Sequence, residues 1–143
     1  LPRLMDCLVP GGVLAVQMPR NFQAPSHVLL RQTAEETGDP ALRARLRSDP
    51  VADPATYHRL LAPHASRLDI WTTSYLQELA GTDPVLDWVS GTALVPVLEV
   101  LEGEARDTFI ARYAARLRAA YPPEVSGRTL FPFERLFMVA VRR

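Results

Sequence analysis

Residues suited to binding a small anion follow an apolar run near the start of the chain. Gln17 ends the run, and Arg20 and Asn21 come directly after it. The planar guanidinium of Arg grips a carboxylate better than the ammonium of Lys does. In an open α/β sheet, ligands bind beyond the carboxyl ends of the strands. The pattern therefore predicts substrate contacts at Gln17, Arg20 and Asn21, with an ordinary turn as the alternative.

Six further candidates for substrate contact are spread along the chain. They are His27, Trp71, Tyr75, Trp88, Thr92 and Arg135. His27 and Arg31 share a helix face at i, i+4 spacing, where a solvated face is favoured over an anion grip. Trp71 and Tyr75 are suited to core packing as well as to lining a pocket.

The other three candidates also have structural alternatives. Trp88 falls in a short helix, where core packing is the commoner role. Thr92 suits the N-cap of the following helix. Arg135 heads an apolar strand, where it serves either as a structural ion-pair partner or as a substrate clamp.

The chain offers no evident catalytic or metal-binding set. His58 and His64 are six residues apart with no third ligand in sight, so we predict no metal site. No G-x-S-x-G elbow is present, and no catalytic dyad stands out. Cys7 is the only cysteine, which excludes an internal disulfide, and its apolar surroundings predict a buried structural thiol. We name no catalytic residue.

Composition limits the partners. The 143 residues carry 16 basic and 16 acidic side chains, every basic one an Arg, and 48% are apolar. A balanced chain gives no electrostatic reason to expect nucleic acid or an anionic membrane as partner. No apolar segment approaches the length of a membrane span and no signal-peptide pattern is present, so we expect a cytoplasmic protein.

Three strands and five or six helices are predicted. The helices fall near 1–8, 26–37, 40–48, 54–62, 84–90 and 102–121, and the strands at 13–17, 66–75 and 136–141. The first and last strands are uniformly apolar, which is typical of central strands buried on both faces. Asp39, Asp53 and Asp83 each precede a Pro and should cap helices. The economical architecture is the tail of an open α/β sheet.

Motifs along nearly all of the chain resemble those of trans-aconitate 2-methyltransferases, which are class I S-adenosylmethionine-dependent enzymes. The matching segments are Leu8-Val9-Pro10-Gly11-Gly12, Gln17-Met18-Pro19-x-Asn21, Pro25-x-His27, Leu60-Leu61-Ala62-Pro63-His64, Trp88-Val89-x-Gly91-Thr92 and Arg135-Leu136-Phe137. The resemblance implies the C-terminal part of a Rossmann-like methyltransferase sheet, strands 5, 6 and 7. A helical substrate cap would be inserted at 20–65 and 80–123 of one domain, 1–143.

The resemblance also implies a function. It indicates transfer of a methyl group from S-adenosyl-L-methionine to a carboxylate of a small organic acid similar to trans-aconitate. Two positions depart from the family pattern: Val95 stands where Arg is usual, and Arg20 where an acidic residue is common. A different small acid is therefore an open alternative.

The glycine-rich turn that holds the cofactor in such enzymes has no counterpart here, because Gly11-Gly12 precedes a strand. We expect the cofactor to be bound mainly by a part upstream and this fragment alone to be inactive. An unpaired strand edge predicts self-association. The alternative class is a non-catalytic helical interaction or regulatory module.

Overall fold

The computed structural model describes residues 1–46 and 49–143. Its elements, in chain order, are α1 (Pro2–Asp6), β1 (Val13–Pro19), α2 (Pro25–Thr37), α3 (Pro40–Arg45), α4 (Pro54–Leu61), a 3-10 turn (Ala62–His64), β2 (Ala65–Leu79), α5 (Pro84–Ser90), α6 (Val95–Leu98), α7 (Gly103–Ala120) and β3 (Thr129–Arg142). The end of the helix predicted at 40–48 lies outside the described residues.

The three strands form one antiparallel sheet in the order β1-β3-β2. Strands β1 and β3 pair in a register that runs from Val13 opposite Val141 to Pro19 opposite Arg135. Strands β1 and β2 therefore do not pair with each other, because β3 lies between them. This arrangement confirms the α/β class and the antiparallel final strand.

Strand β1 has one uncovered face in the described sheet, and its predicted burial on both faces stays a prediction. Its side chains alternate between exposed and half-buried, and Val13 is 56% exposed. The described sheet places β1 at an edge and only β3 at the centre. An apolar run by itself does not distinguish one buried face from two, since that depends on which elements cover the second face.

The chain divides into two compact units. The sheet unit comprises Leu1–Asn21, Pro50–Tyr75 and Phe133–Arg143, and the helical unit comprises Phe22–Asp49 and Leu76–Pro132. Of the predicted cap segments, 22–49 and 80–123 fall in the helical unit and 50–65 in the sheet unit. The assignment of those segments as a substrate cap stays a prediction.

One face of the sheet unit packs into an apolar core. Met5, Leu61 and Met138 are almost fully buried there, and Leu14, Val16, Met18, Leu68 and Ile70 pack against them. Burying a side chain of this size contributes about 1.5–3 kcal/mol to stability. Cys7 lies outside this core and is exposed, so the predicted buried thiol is wrong. Residues Met5 and Leu8 take the inward positions of this segment, and Cys7 falls between them.

Polar caps set the starts of two helices. The Asp39 side chain accepts from the backbone N–H of Ala41 at 2.8 Å, and Asp53 accepts from Thr56 at 3.0 Å. Both caps were predicted. The third was wrong, because the Asp83 side chain makes no cap bond and instead pairs with Arg118.

The helical unit is organised around α7. Phe109, Tyr113 and Leu117 form its buried stripe. Tyr113 donates to the Ser26 carbonyl at 2.8 Å, and the Ser26 N–H donates to the Tyr121 hydroxyl at 3.0 Å. These two bonds satisfy the buried backbone groups at the start of α2. Burial raises the pKa of Tyr113 above its ordinary value, so the hydroxyl stays a donor at neutral pH.

Strand β3 begins seven residues before the predicted start at 136. Pro132 hides the first part of the strand in the sequence, since Pro inside a run argues against a strand. Helix α6 was not predicted, because a single turn of four residues carries too little periodicity. Among the helices that the structure describes, none is both long and apolar enough to cross a membrane.

Candidate functional site

Six of the nine predicted substrate-contact residues belong to the sheet unit and approach one end of the sheet. Gln17, Arg20 and Asn21 lie at the carboxyl end of β1. Trp71 lies near the middle of β2 and Tyr75 in its second half. Because β3 is antiparallel to its neighbours, its first half reaches the same end and contributes Arg135. This end is the position at which open α/β sheets bind ligands.

The strand register separates a buried face from an open face. Gln17 pairs with Phe137 and Pro19 with Arg135, so these four side chains share the open face. The intervening Met18 and Leu136 point into the core. Arg135 therefore lies within β3 rather than at its head, and its position in the register directs it away from the core.

Arg135 carries a positive charge that no described carboxylate neutralises. Its guanidinium donates a hydrogen bond to the Gln17 side-chain oxygen and lies over the Phe133 ring, 5.2 Å from the centroid. Within the described chain, no Asp or Glu oxygen comes within 4.0 Å of it. The structural ion pair that we considered for Arg135 is therefore not found. The half-buried guanidinium is positioned by a neutral amide and an aromatic ring.

Arg20 is held differently. Its guanidinium lies 3.3 Å from the Glu134 carboxylate, and both side chains are partly exposed. The Arg20 backbone N–H also donates to the Glu134 carbonyl at 2.9 Å. An internal carboxylate already occupies this cation, so a ligand carboxylate would have to displace it. Of the two Arg side chains predicted to contact substrate, the geometry favours Arg135.

Asn21 is the buried member of the site, with 4% of its surface exposed. Its side-chain oxygen accepts from the Glu134 N–H at 2.6 Å, whereas its Nδ2 has no hydrogen-bond partner. Other buried side-chain nitrogens and oxygens of the described residues are satisfied. The alternative of an ordinary turn does not account for this donor, because turn amides normally reach backbone or solvent.

Aromatic rings form a wall on the open face. Trp71 stacks on Phe137 with ring centroids 5.2 Å apart and planes 8° from parallel. Trp71 and Tyr75 remain 45% and 43% exposed. Core packing, which we considered for both, is not observed. The stacked pair therefore lies at the protein surface, where an aromatic ring is accessible to a ligand.

Sequence reasoning missed Phe133, Glu134 and Phe137, which hold the predicted residues in place. Phe133 supports Arg135, Glu134 orients both Arg20 and Asn21, and Phe137 stacks with Trp71. The spacing of Phe133, Arg135 and Phe137 at every second position was a usable signal for one strand face. Pro132 concealed it by suggesting that no strand began there.

The remaining three candidates belong to the helical unit. His27 is half-buried, and its ring meets Phe22 edge-on at 5.1 Å. Burial and, to a smaller degree, the Arg31 charge hold the pKa of His27 below its ordinary value. Arg31 donates to the Phe22 carbonyl at 2.8 Å. The solvated helix face that we favoured is therefore wrong, because His27 packs among its neighbours and stays neutral near pH 7.

Trp88 and Thr92 also differ from their expected roles. Trp88 is 39% exposed beside Phe131, with ring centroids 5.8 Å apart, so it is not a core residue. Thr92 is exposed, and its hydroxyl bonds back to the Val89 carbonyl. The N-cap of α6 is Leu94, which makes no side-chain bond, so the cap predicted for Thr92 is wrong.

The glycine pair serves the chain itself. A Cβ on Gly12 would lie 2.8 Å from the Val9 carbonyl oxygen, so the turn closes too tightly for any side chain. Gly11 donates to Arg142 at 3.0 Å, which ties the turn to β3. The described residues contain no cluster of three His, Cys, Asp or Glu arranged as metal ligands.

These residues form a candidate ligand site toward one end of an α/β sheet. No family model matches the chain. Curated relatives do: it is 46% identical to trans-aconitate 2-methyltransferase of Sinorhizobium fredii, 48% to that of Azoarcus and 44% to that of Agrobacterium fabrum. The alignments cover 99–100% of this chain but only 56–57% of each relative.

The chain therefore belongs to the trans-aconitate 2-methyltransferase family and spans about half the length of the curated relatives it matches. That coverage is consistent with the predicted correspondence to the carboxyl-terminal part of such an enzyme.

Proposed function

We propose that this chain forms the acceptor-binding side of an S-adenosylmethionine-dependent O-methyltransferase that acts on a carboxylate of a small organic acid. The observation that supports this most directly is the Arg135 guanidinium, a cation with no described carboxylate partner on the open face of the sheet. The names of the relatives, trans-aconitate 2-methyltransferases, supply the reaction and the kind of acid.

The chemistry asks little of the acceptor side beyond binding and alignment. A carboxylate is already ionised at neutral pH, so it needs no general base before it accepts a methyl group. The absence of a catalytic dyad among the site residues agrees with such a reaction. The chain has to hold the acid in one orientation, neutralise its other carboxylates and limit water at the reacting oxygen.

Each site residue has a role in this scheme. Arg135 binds a carboxylate that is not methylated, and Gln17 and Phe133 fix the guanidinium in position. Trp71, stacked on Phe137, covers one face of the acid. Arg20 is a positioning residue in the scheme, because its charge is engaged by Glu134. In this proposal, the methyl donor is bound mainly by a part of the protein upstream of this chain.

Replacing Arg135 by Gln in the protein that contains this chain tests the proposal. The new amide can still donate to Gln17, so the change removes the charge and retains the neighbouring bond. A charge-assisted contact is worth about 1.5–3 kcal/mol. We therefore expect kcat/KM for trans-aconitate to fall roughly 10- to 150-fold. Transfer of a labelled methyl group from S-adenosylmethionine to the acid would be measured.

Arg20→Gln is the matched control, since it removes the same charge from a residue that Glu134 already neutralises. We expect a loss of about threefold or less, as for other partly exposed ion pairs. A panel of mono-, di- and tricarboxylic acids distinguishes trans-aconitate from other acceptors. Equal effects of the two substitutions would refute the assignment of Arg135 as the clamp, and no methyl transfer to any acid would refute the function.

A further inference from the structure

Asn21 presents a buried donor group with nothing to bond to. The residue is 4% exposed, and its Nδ2 has no hydrogen-bond partner among the described residues. A carboxamide nitrogen carries two N–H donors. Buried polar groups in folded proteins are nearly always paired, since an unpaired one keeps the full cost of leaving water. Such a group at a ligand-binding edge indicates that its partner is the ligand.

The orientation of this amide is fixed by the sheet. The Asn21 oxygen accepts from the Glu134 N–H at 2.6 Å. Rotating the amide by half a turn would place Nδ2 against that N–H, donor against donor, and the bond would be lost. The backbone is fixed as well, because the Arg20 N–H donates to the Glu134 carbonyl at 2.9 Å. Nδ2 is therefore held in place before any ligand arrives.

The chemistry of the partner follows from the donor and its neighbours. Nδ2 can only donate, so its partner has to be an acceptor atom. Oxygens that carry negative charge are the strongest acceptors. In the strand register, Arg135 stands opposite Pro19, and Pro19 precedes Asn21 by two residues. A cation and a neutral donor at the same end of the sheet suit a carboxylate.

We infer that Asn21 is a specificity-determining residue whose Nδ2 donates to a carboxylate oxygen of the acceptor acid. The inference rests on the proposed function. A carboxylate could come from the acceptor acid or from the methionine part of S-adenosylmethionine. The acid is favoured, since Arg135 and the aromatic wall of Trp71 and Phe137 surround the same end of the sheet.

The variant Asn21→Asp, made in the protein that contains this chain, tests the inference. Aspartate has the same shape and can still accept from the Glu134 N–H, but it replaces the donor with a negatively charged acceptor. Binding of trans-aconitate and of S-adenosylmethionine would be measured separately by calorimetry. We expect affinity for the acid to fall at least about tenfold, because two like charges would face each other, and affinity for the cofactor to be unchanged.

Two readouts separate this role from a structural one. The carboxyl group that Asn21→Asp introduces can become a donor when it takes up a proton, so the loss of acid binding should shrink as the pH falls. Gln32→Glu is the control for an added charge, since Gln32 is exposed on α2. It should change neither affinity. Urea unfolding shows whether a loss of acid binding in Asn21→Asp comes from an unstable protein. If it does, Asn21→Ser provides the test, because it removes Nδ2 without adding a charge.

The outcomes are distinct. Wild-type protein that binds the acid without transferring a methyl group would refute the proposed function, and Asn21→Asp would then show only whether Asn21 contacts the bound acid. Unchanged acid affinity in Asn21→Asp would overturn the inference, as would a loss confined to S-adenosylmethionine. Wild-type protein that fails to bind any carboxylic acid would overturn both.

Discussion

The two units treat their buried polar groups in opposite ways. In the helical unit, the Ser26 carbonyl and N–H are each bonded, to Tyr113 at 2.8 Å and to Tyr121 at 3.0 Å. In the sheet unit, Asn21 is almost as deeply buried but satisfies only its oxygen, through Glu134. A closed network holds a fold together, whereas an open donor is available to a ligand.

Individual arginines differ in how they are held. In the helical unit, Arg112 and Arg116 both reach Glu36, and the hydrogen bond from Arg116 is the main reason that the pKa of Glu36 is lowered. In the sheet unit, Arg20 pairs with Glu134, whereas Arg135 is held by the neutral Gln17. The contrast between the two units can be tested in three further ways.

The largest effect is expected on assembly, because the sheet unit also leaves a strand edge open. Strand β1 pairs only with β3 in the described sheet, and Val13 is 56% exposed. We propose that the 143-residue chain by itself associates through this edge. Sedimentation at high micromolar concentration should show dimers, and Val13→Lys should weaken them roughly tenfold by placing like charges in contact.

Val125→Lys is the matched control for assembly. Val125 is fully exposed in the turn before β3 and belongs to the helical unit. The same change of side chain there should leave the sedimentation behaviour as it is. A clean monomer for the unaltered chain, or equal effects of the two substitutions, would contradict association through β1.

The next effect concerns the closed network. Tyr113→Phe keeps the ring and removes only the hydroxyl that donates to the buried Ser26 carbonyl, so this hydrogen bond is lost. We expect the free energy of unfolding to fall by about 0.5–1.5 kcal/mol. Urea denaturation would measure it. The comparison is Tyr75→Phe in the exposed wall, where a change within about 0.5 kcal/mol is expected. Equal losses would mean that the Ser26 network contributes nothing beyond ring packing.

The fold was predictable where local signals and the family resemblance agreed. Asp39 and Asp53 before Pro marked two helix starts, and a helix was predicted at 102–121, where α7 lies. The apolar run at 13–17 predicted a strand, but which of its faces is covered depends on packing partners that the run itself does not show. The early start of β3 was hidden by Pro132, and the ion pair of Asp83 with Arg118 joins residues 35 positions apart.

The candidate site residues were selected from their types and from the end of a strand, and their contact with a substrate stays a prediction. What the sequence did not predict is their arrangement. Nothing in the sequence shows that Glu134 neutralises Arg20 and leaves Arg135 without a carboxylate, since the choice depends on strand register. Register also decides that Glu134 satisfies one end of the Asn21 amide and not the other.

The smallest effect is a pH dependence that belongs to the helical unit. Burial, helped by the nearby Arg31 charge, lowers the pKa of His27 in the folded chain. In the unfolded chain the group has its ordinary pKa of about 6.5. As the pH falls below that value, the unfolded chain takes up a proton before the folded chain does. The contribution of neutral His27 to stability is therefore complete above about pH 6.5 and is lost as the pH falls toward the folded pKa.

The expected slope is less than about 1.4 kcal/mol per pH unit, the limit for one proton. His27→Gln should remove this dependence, whereas His58→Gln on the exposed side of α4 should retain it. Urea unfolding at about pH 7.5, 6.5 and 5.5, values that bracket the ordinary pKa of His, would compare the three proteins. The free energy of unfolding of the wild type should fall relative to that of His27→Gln as the pH falls. If the difference between the two is constant, His27 is as free to take up a proton in the folded chain as in the unfolded one.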